Sequence, residues 1–247
     1  MNYPTSSDNW FETWFASPYY AMLYAHRDDK EAELFIDNIQ KYLPLNNQAK
    51  ILDIACGEGR HAAYIASKGY DVQGIDLSER SISIAKAKEH QNLKFSVEDM
   101  RTVVKANHFD VVFNCFTSFG YFDDPSDNLK SFQTFSGGLR SGGILVMDFL
   151  NPTYILANLV PEEKLKRGGI TFHIKRWSEK GFLYKSIDFE DQGQSYSFQE
   201  KVELISKQDF LHYASEAGLQ FMNLVGDYSL AKFDDQTSPR MIFFWDK

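Results

Sequence analysis

Between residues 50 and 150, nearly unbroken apolar runs alternate with amphipathic stretches. The apolar runs are KILDIAC, DVQGID, LKFSVED, FDVVFNCF and GGILVMDF, and between them lie HAAYIASKG, SISIAKAKEH and NLKSFQTFSGGL. A strand apolar at successive positions is buried on both faces, as happens when crossover helices cover a parallel sheet on each side. The pattern therefore predicts βαβ units and an α/β fold with a doubly wound, mostly parallel sheet.

After Pro161 the texture changes. ITFHIKRW, FLYKSIDFED and SYSFQEKVELIS are long and rich in aromatic and β-branched residues, and are joined by SEKG and by a turn around Gly193. Thr171, His173 and Lys175 fall on one face of the first, with Phe172 and Ile174 on the other, which is the alternation of a half-buried antiparallel strand. Ser206 then caps a helix that ends at Gly218, and LQFMNLVGDY and RMIFFWDK read as two strands returning to the main sheet. The first 48 residues read as helical, with Trp10, Phe11, Trp14, Phe15, Tyr19, Tyr20 and Tyr24 crowded together as a lid or wall. The resulting division is a helical lid at 1–48, a core at 49–160 and 206–247, and a small antiparallel β insertion at 161–205.

Composition narrows the partners. There are 34 acidic and 26 basic side chains, a formal net charge of −8, so the average field repels phosphate backbones and no nucleic-acid partner is expected. With 43% hydrophobic residues the chain has ample material for a core, and disorder is excluded as its main state. No apolar run is long enough to span a bilayer, and the N-terminus lacks the pattern of a secretory signal, so a cytoplasmic protein without membrane contact is expected. Cys56 and Cys115 are too few for a disulfide framework, which fits a reduced compartment.

The chemistry concentrates in ILDIACGEGRHA, residues 51–62. Gly57, Gly59 and Ala62 have the G-x-G-x-x-G/A spacing with which a strand turns into a helix beneath a bound nucleotide. The next strand ends at Asp76, about 20 residues on, where an acid accepts bonds from ribose hydroxyls. A lone acid there has few structural uses, which makes Asp76 the strongest single candidate. Asp53, four residues before Gly57, would repel a pyrophosphate but attract an ammonium group. It could equally hold the loop by accepting backbone N–H bonds, and the two roles can coexist.

In combination these segments resemble the class I S-adenosylmethionine-dependent methyltransferases, and their small-molecule subgroup in particular. DIACGEGR is similar to that family's glycine motif, GIDLS to its ribose-binding strand end, VEDM to its adenine-contact motif and FDVVFNCFTSFGYF to its fourth motif. WFETWF, YAHRDD and EAELF before the core, and GDYSLAKFDDQTSPRMIFF near the end, extend the likeness. The resemblance implies a Rossmann-like sheet of seven strands with the last antiparallel, and S-adenosyl-L-methionine as cofactor. It further implies that Ala55, Gly57 and Gly59 lie against the methionyl part, Asp53 near its amino group and Asp76 on the ribose. Leu77 and Met100 would pack on the adenine, and Asp99 would accept a bond from its exocyclic amine. Asn114, Cys115 and Phe116 would border the methyl group, and Tyr24 or Arg27 would meet the methionyl carboxylate.

On this reading the acceptor is a small molecule methylated on N or O sooner than on C, and the protein is a monomer or homodimer. A base is optional; His26, His61 and His173 are the histidines that could reach a pocket, and Tyr121 could line it. The histidines and cysteines lack metal-ligand spacing, and no G-x-S-x-G or P-loop occurs. Two rival readings stay open: a nicotinamide-dependent oxidoreductase, which the glycine spacing permits but the missing Tyr-x-x-x-Lys pattern disfavours, and a non-catalytic cofactor-binding module.

Overall fold

The computed structural model describes residues 10–15, 17–24, 29–43, 45–102 and 105–247. Its main sheet takes β1 (Lys50–Ile54), β2 (Asp71–Asp76), β3 (Leu93–Val97), β4 (Phe109–Asn114) and β5 (Leu139–Leu150) from the alternating region. Between them run α4 (Arg60–Ser67), α5 (Glu79–Ala85) and α6 (Ser126–Gly138), preceded by α1 (Trp10–Phe15), α2 (Pro18–Leu23) and α3 (Asp29–Tyr42). After an excursion described below, α8 (Lys207–Glu216) leads into β10 (Gln220–Val225) and β11 (Arg240–Asp246). The seven strands lie in the order β3-β2-β1-β4-β5-β11-β10, and only β11 runs against its neighbours.

The apolar runs are explained by burial on both faces. In β11, Ile242 and Phe244 enter one core with Ile51, Val111 and Val146, while Phe243 and Trp245 enter the other with Leu52, Val112 and Leu145. Successive residues thus serve opposite layers, as a sheet covered on both sides demands. α3 belongs to the first layer through Phe35, Ile36, Ile39 and Leu43. α8 is fixed at its start by reciprocal bonds between Ser206 and Asp209, and Gly218 beyond its end is left-handed at φ +75°.

The predicted antiparallel insertion is a separate four-stranded sheet, β6 (Glu162–Arg167), β7 (Ile170–Glu179), β8 (Phe182–Asp191) and β9 (Gln194–Glu203), entered through the short helix α7 (Pro152–Ala157). Its hairpin loops, Gly168-Gly169, Lys180-Gly181 and Gln192-Gly193, have two residues each, all at positive φ. That twist matches the right-handed twist of the flanking strands. The face alternation holds: Phe172 and Ile174 are buried, while Thr171, His173 and Lys175 are exposed. β6 is the strand the hydrophobic pattern did not show, because in EEKLKR only Leu165 is apolar.

α1 and α2 pack on this sheet, not on the main one. Trp14 and Leu23 join Phe172, Ile174, Ile187, Phe189 and Phe198 in a third core. Trp14 is fully buried, its ring centroid 4.6 Å from that of Phe198. α1 and α2 therefore share one core with the β insertion and form with it one roof over the C-terminal ends of β1, β2 and β4, whereas α3, which the expected lid at 1–48 included, packs on the main sheet. No helix among the described residues is long and apolar enough to cross a membrane.

Candidate active site

A cavity of about 1150 Å³ lies beneath that roof. Its floor is where β1 sends its neighbours in opposite directions, β2 and β4, the switch point at which open α/β sheets bind ligands.

The loop leaving β1 is bent by left-handed residues at Ala55 (φ +57°), Gly57 (φ +56°) and Gly59 (φ +77°). Gly57 and Ala55 line the cavity, and a Cβ on Gly57 would enter open space. Gly59 does not line it: a Cβ there would stand 2.5 Å from Phe95 Cζ, so this glycine lets α4 close on β3 instead of making the expected ligand contact.

Asp53 is only 2% exposed, and its Oδ2 has no hydrogen-bond partner among the described residues. It accepts the Ala62 N–H, one of the donors that the first turn of α4 leaves unsatisfied. Burial, with the Asp76 charge nearby, pushes its carboxyl up to about 7. Asp76 accepts from Gly57 N–H and Ser78 N–H, both at 2.8 Å, so it braces the glycine loop, a structural use that the sequence did not reveal. Two bonds leave about half the acceptor capacity of a carboxylate.

Leu77, just after β2, lines the cavity and is 40% exposed, a large apolar side chain without a full set of protein neighbours; Met100 lines it nearby. Asp99 also lines it, but both its oxygens accept from Arg101, which holds the carboxyl below its ordinary range, and Arg101 N–H adds a further bond. Arg101 also reaches Asp127 at 2.6 Å. An adenine amine would therefore have to compete with a guanidinium for Asp99.

Beyond β4, Phe116 and Thr117 are consecutive left-handed residues, at φ +60° and +61°. Such a pair costs about 1–3 kcal/mol per residue and persists only where the surroundings fix it. The fixing group is Asp148, fully buried, which accepts from Phe116 N–H (2.8 Å), Tyr228 O–H (3.0 Å) and Arg240 Nε–H (2.7 Å), while Arg240 Nη2 donates to Thr117 Oγ1. Sequence reasoning missed this network, since its bonded partners are separated by up to 123 residues. Nothing short of the β5–β11 register, which sets Ile242 opposite Asp148 and Arg240 opposite Leu150, brings them together.

His61 packs on Phe116 with ring centroids 4.7 Å apart, and burial beside Arg60 lowers its pKa to about 3, so it is neutral across the physiological range. Its Nε2 is buried and has no hydrogen-bond partner among the described residues. His173 is exposed on the outer face of the roof and does not line the cavity. Asn114 Nδ2 donates to the Ile54 and Ser118 carbonyls while its buried Oδ1 has no hydrogen-bond partner among the described residues, and Cys115 is buried with its thiol pushed well above its ordinary range. Tyr24 lines the cavity, but its hydroxyl donates to Glu200 at 2.7 Å and accepts from Lys185, both on the roof. Tyr121 lines the cavity as well. Arg27 and His26 lie outside the described residues.

The strand order of the main sheet is that of S-adenosylmethionine-dependent methyltransferases of known structure, to which this chain is similar in fold. Residues 51–143 match the family model described as a methyltransferase domain. A structure of an S-adenosylmethionine-dependent methyltransferase from Clostridium acetobutylicum superposes with a TM-score of 0.79 at 21% identity, covering 94% of this chain and 97% of that one. The putative methyltransferase YqeM of Bacillus subtilis is 34% identical over 121 residues, 48% of this chain and 49% of that protein. The ubiquinone biosynthesis O-methyltransferase of Acinetobacter baylyi is 28% identical over 126 residues, 47% of this chain and 51% of that protein. The chain thus spans about half the length of the curated relatives it matches.

Proposed function

We propose that this chain is an S-adenosylmethionine-dependent methyltransferase acting on a small molecule. The observation that carries the reading is the bare, buried Oδ2 of Asp53 beside a glycine whose Cβ position opens into the cavity. A buried carboxylate oxygen without a partner is costly, and a ligand ammonium group would relieve that cost. A pyrophosphate, which a nicotinamide cofactor would bring to this loop, would add to it.

In this reading Asp53 holds the amino group of the methionyl part, and Gly57 and Ala55 let the ligand lie on the backbone. Asp76 turns its remaining lone pairs to the ribose hydroxyls while still bracing Gly57. Leu77 and Met100 cover the adenine, and Phe116 closes the side toward the acceptor. When bound, S-adenosylmethionine supplies a methyl group already activated on a sulfonium. What the protein must add is alignment and exclusion of water, which in favourable intramolecular models are worth roughly 7–11 kcal/mol. The roof supplies both, with Phe15, Leu23 and Tyr20 on its inner surface. The likeness to a relative named as an O-methyltransferase of ubiquinone biosynthesis supports a small organic acceptor.

Calorimetry with S-adenosylhomocysteine and with NADH tests the assignment. Saturable binding of the first and none of the second is expected; the reverse would overturn it. Incubation with labelled S-adenosylmethionine and a panel of amines, alcohols and thiols then separates an enzyme from a binding module, for which no acceptor-dependent transfer would occur.

A further inference from the structure

Five buried side-chain polar atoms have no hydrogen-bond partner among the described residues: Asp53 Oδ2, His61 Nε2, Asn114 Oδ1, Asn128 Oδ1 and Trp245 Nε1. Only two of them belong to residues that line the cavity, Asp53 and His61. An unpartnered buried group bears the full cost of leaving water, so these two mark where a ligand would meet polar groups without partners. Their hydrogen-bonding characters are opposite. An ionised carboxylate only accepts, whereas a neutral imidazole carries one N–H and can donate.

The two residues are neighbours in space. Asp53 accepts the N–H of Ala62, the residue after His61, and so is held against the first turn of α4. That turn has no side-chain cap, because its N-cap is Gly59. The backbone N–H groups and the dipole at the start of an α-helix favour a negative charge there. Helical side chains lean toward the start of their helix, which directs His61 back to the glycine loop, where Gly57 borders open space. The ring is also held in place: Phe116 packs on it with centroids 4.7 Å apart, and Asp148 fixes the Phe116 backbone. His61 is only 9% exposed, so water does not satisfy its Nε2.

The amino-acid end of the ligand still lacks one partner. Its ammonium group has Asp53, but Tyr24, which the resemblance offered for its carboxylate, donates its hydroxyl to Glu200 and accepts from Lys185. An α-amino acid bears both groups on one carbon, so the carboxylate must be met close to Asp53. We propose that His61 holds that carboxylate, donating Nε2–H to one of its oxygens at the uncapped start of α4 while Asp53 takes the ammonium group. The proposal rests on the methyltransferase reading above and adds to it the residue that completes recognition of the zwitterion. The bond is charge-assisted and leaves neither Nε2 nor Asp53 Oδ2 unpartnered.

The test is calorimetric titration of the full chain with S-adenosylhomocysteine and with its decarboxylated analogue, which keeps the ammonium group and lacks only the carboxylate. The wild type is expected to prefer S-adenosylhomocysteine at least tenfold. In His61→Phe, which keeps a ring against Phe116, that preference should fall roughly tenfold, through loss of affinity for S-adenosylhomocysteine alone. His61→Gln, whose amide offers an N–H at a similar reach, should restore much of it. Circular dichroism checks folding. If a variant does not fold, nitrogen NMR of wild-type His61 decides, since its Nε2 resonance should move with S-adenosylhomocysteine and not with the analogue. Equal wild-type affinity for the two ligands, an undiminished preference in folded His61→Phe, or an unmoved Nε2 resonance overturns the assignment. So does an equal loss of affinity for both ligands, which is what a merely structural role would give. If S-adenosylhomocysteine does not bind the wild type, the methyltransferase reading itself fails; if it binds without these effects, that reading stands and only the role of His61 falls.

Discussion

Gly57 and Gly59 are both left-handed, yet an added methyl group meets different surroundings at each. At Gly59 it collides with Phe95 2.5 Å away, so Gly59→Ala combines backbone strain with overpacking and should cost about 2–4 kcal/mol in urea unfolding. At Gly57 it meets nothing, so Gly57→Ala should cost only about 1–2 kcal/mol of left-handed strain and, because it fills the cavity, should weaken S-adenosylhomocysteine binding at least tenfold. The spacing of the two glycines was plain in the sequence, but their division of labour was not, because Phe95 approaches from a strand 36 positions further along the chain. Asp53 carries a pH signature. Its carboxyl, raised from 3.8 to about 7, stays protonated in the folded, ligand-free protein where the unfolded chain has already ionised. Its contribution to stability is therefore present below about pH 4 and is lost as pH rises through about 7. A ligand ammonium prefers the ionised form, so S-adenosylhomocysteine affinity should increase from pH 6 to pH 8. Asp53→Asn should flatten that rise, and an unchanged slope in titrations at the two pH values would count against the pairing.

At the scale of elements, the end of β4 depends on β5 and β11. Asp148 is fully buried and Arg240, its side chain 19% exposed, pairs with it at 2.7 Å; removing the Arg leaves a buried carboxylate without its charge partner, and for a pair of this kind the loss is about 3–5 kcal/mol when both are buried and less here. Asp148→Ala breaks the same pair, so it should lower the urea midpoint, and it should also release Phe116 and Thr117 from their left-handed conformation. Asp148→Asn, which keeps an acceptor, should fall between wild type and Ala. The strands themselves were legible because each buries both faces, and the hairpins of the insertion because Gly193 and the SEKG turn mark them. β6 escaped because a strand with alternate charged residues reaching over a cavity has no apolar period to detect. The Asp148 network escaped for another reason: a buried Asp in an apolar strand and an Arg at the start of another are unremarkable until their register is known.

On the scale of the molecule, two bodies of packing meet at the cavity: the sheet with α3 to α6 and α8, and the roof built from α1, α2 and the second sheet. Trp14 is the main tie within the roof, fully buried and bonded to Glu200 through its indole N–H. Trp14→Ala should cost about 3–5 kcal/mol of roof stability, seen as faster proteolysis and hydrogen exchange in residues 10–24 and 162–203, with protection of β1 and β4 unchanged. Loss of protection throughout would show that roof and floor unfold as one. What the sequence by itself determined is the doubly wound core, the glycine loop, and the acids Asp53 and Asp76, because strand burial and a βα turn are written in neighbouring residues. Only the tertiary structure decided that the aromatic N-terminal helices close on the insertion, that Gly59 serves packing, that Asp76 braces the loop, and that His61 packs on Phe116 beside a cavity. Each of those depends on residues far apart in the chain being brought into one register or one core, a relation that local pattern cannot carry.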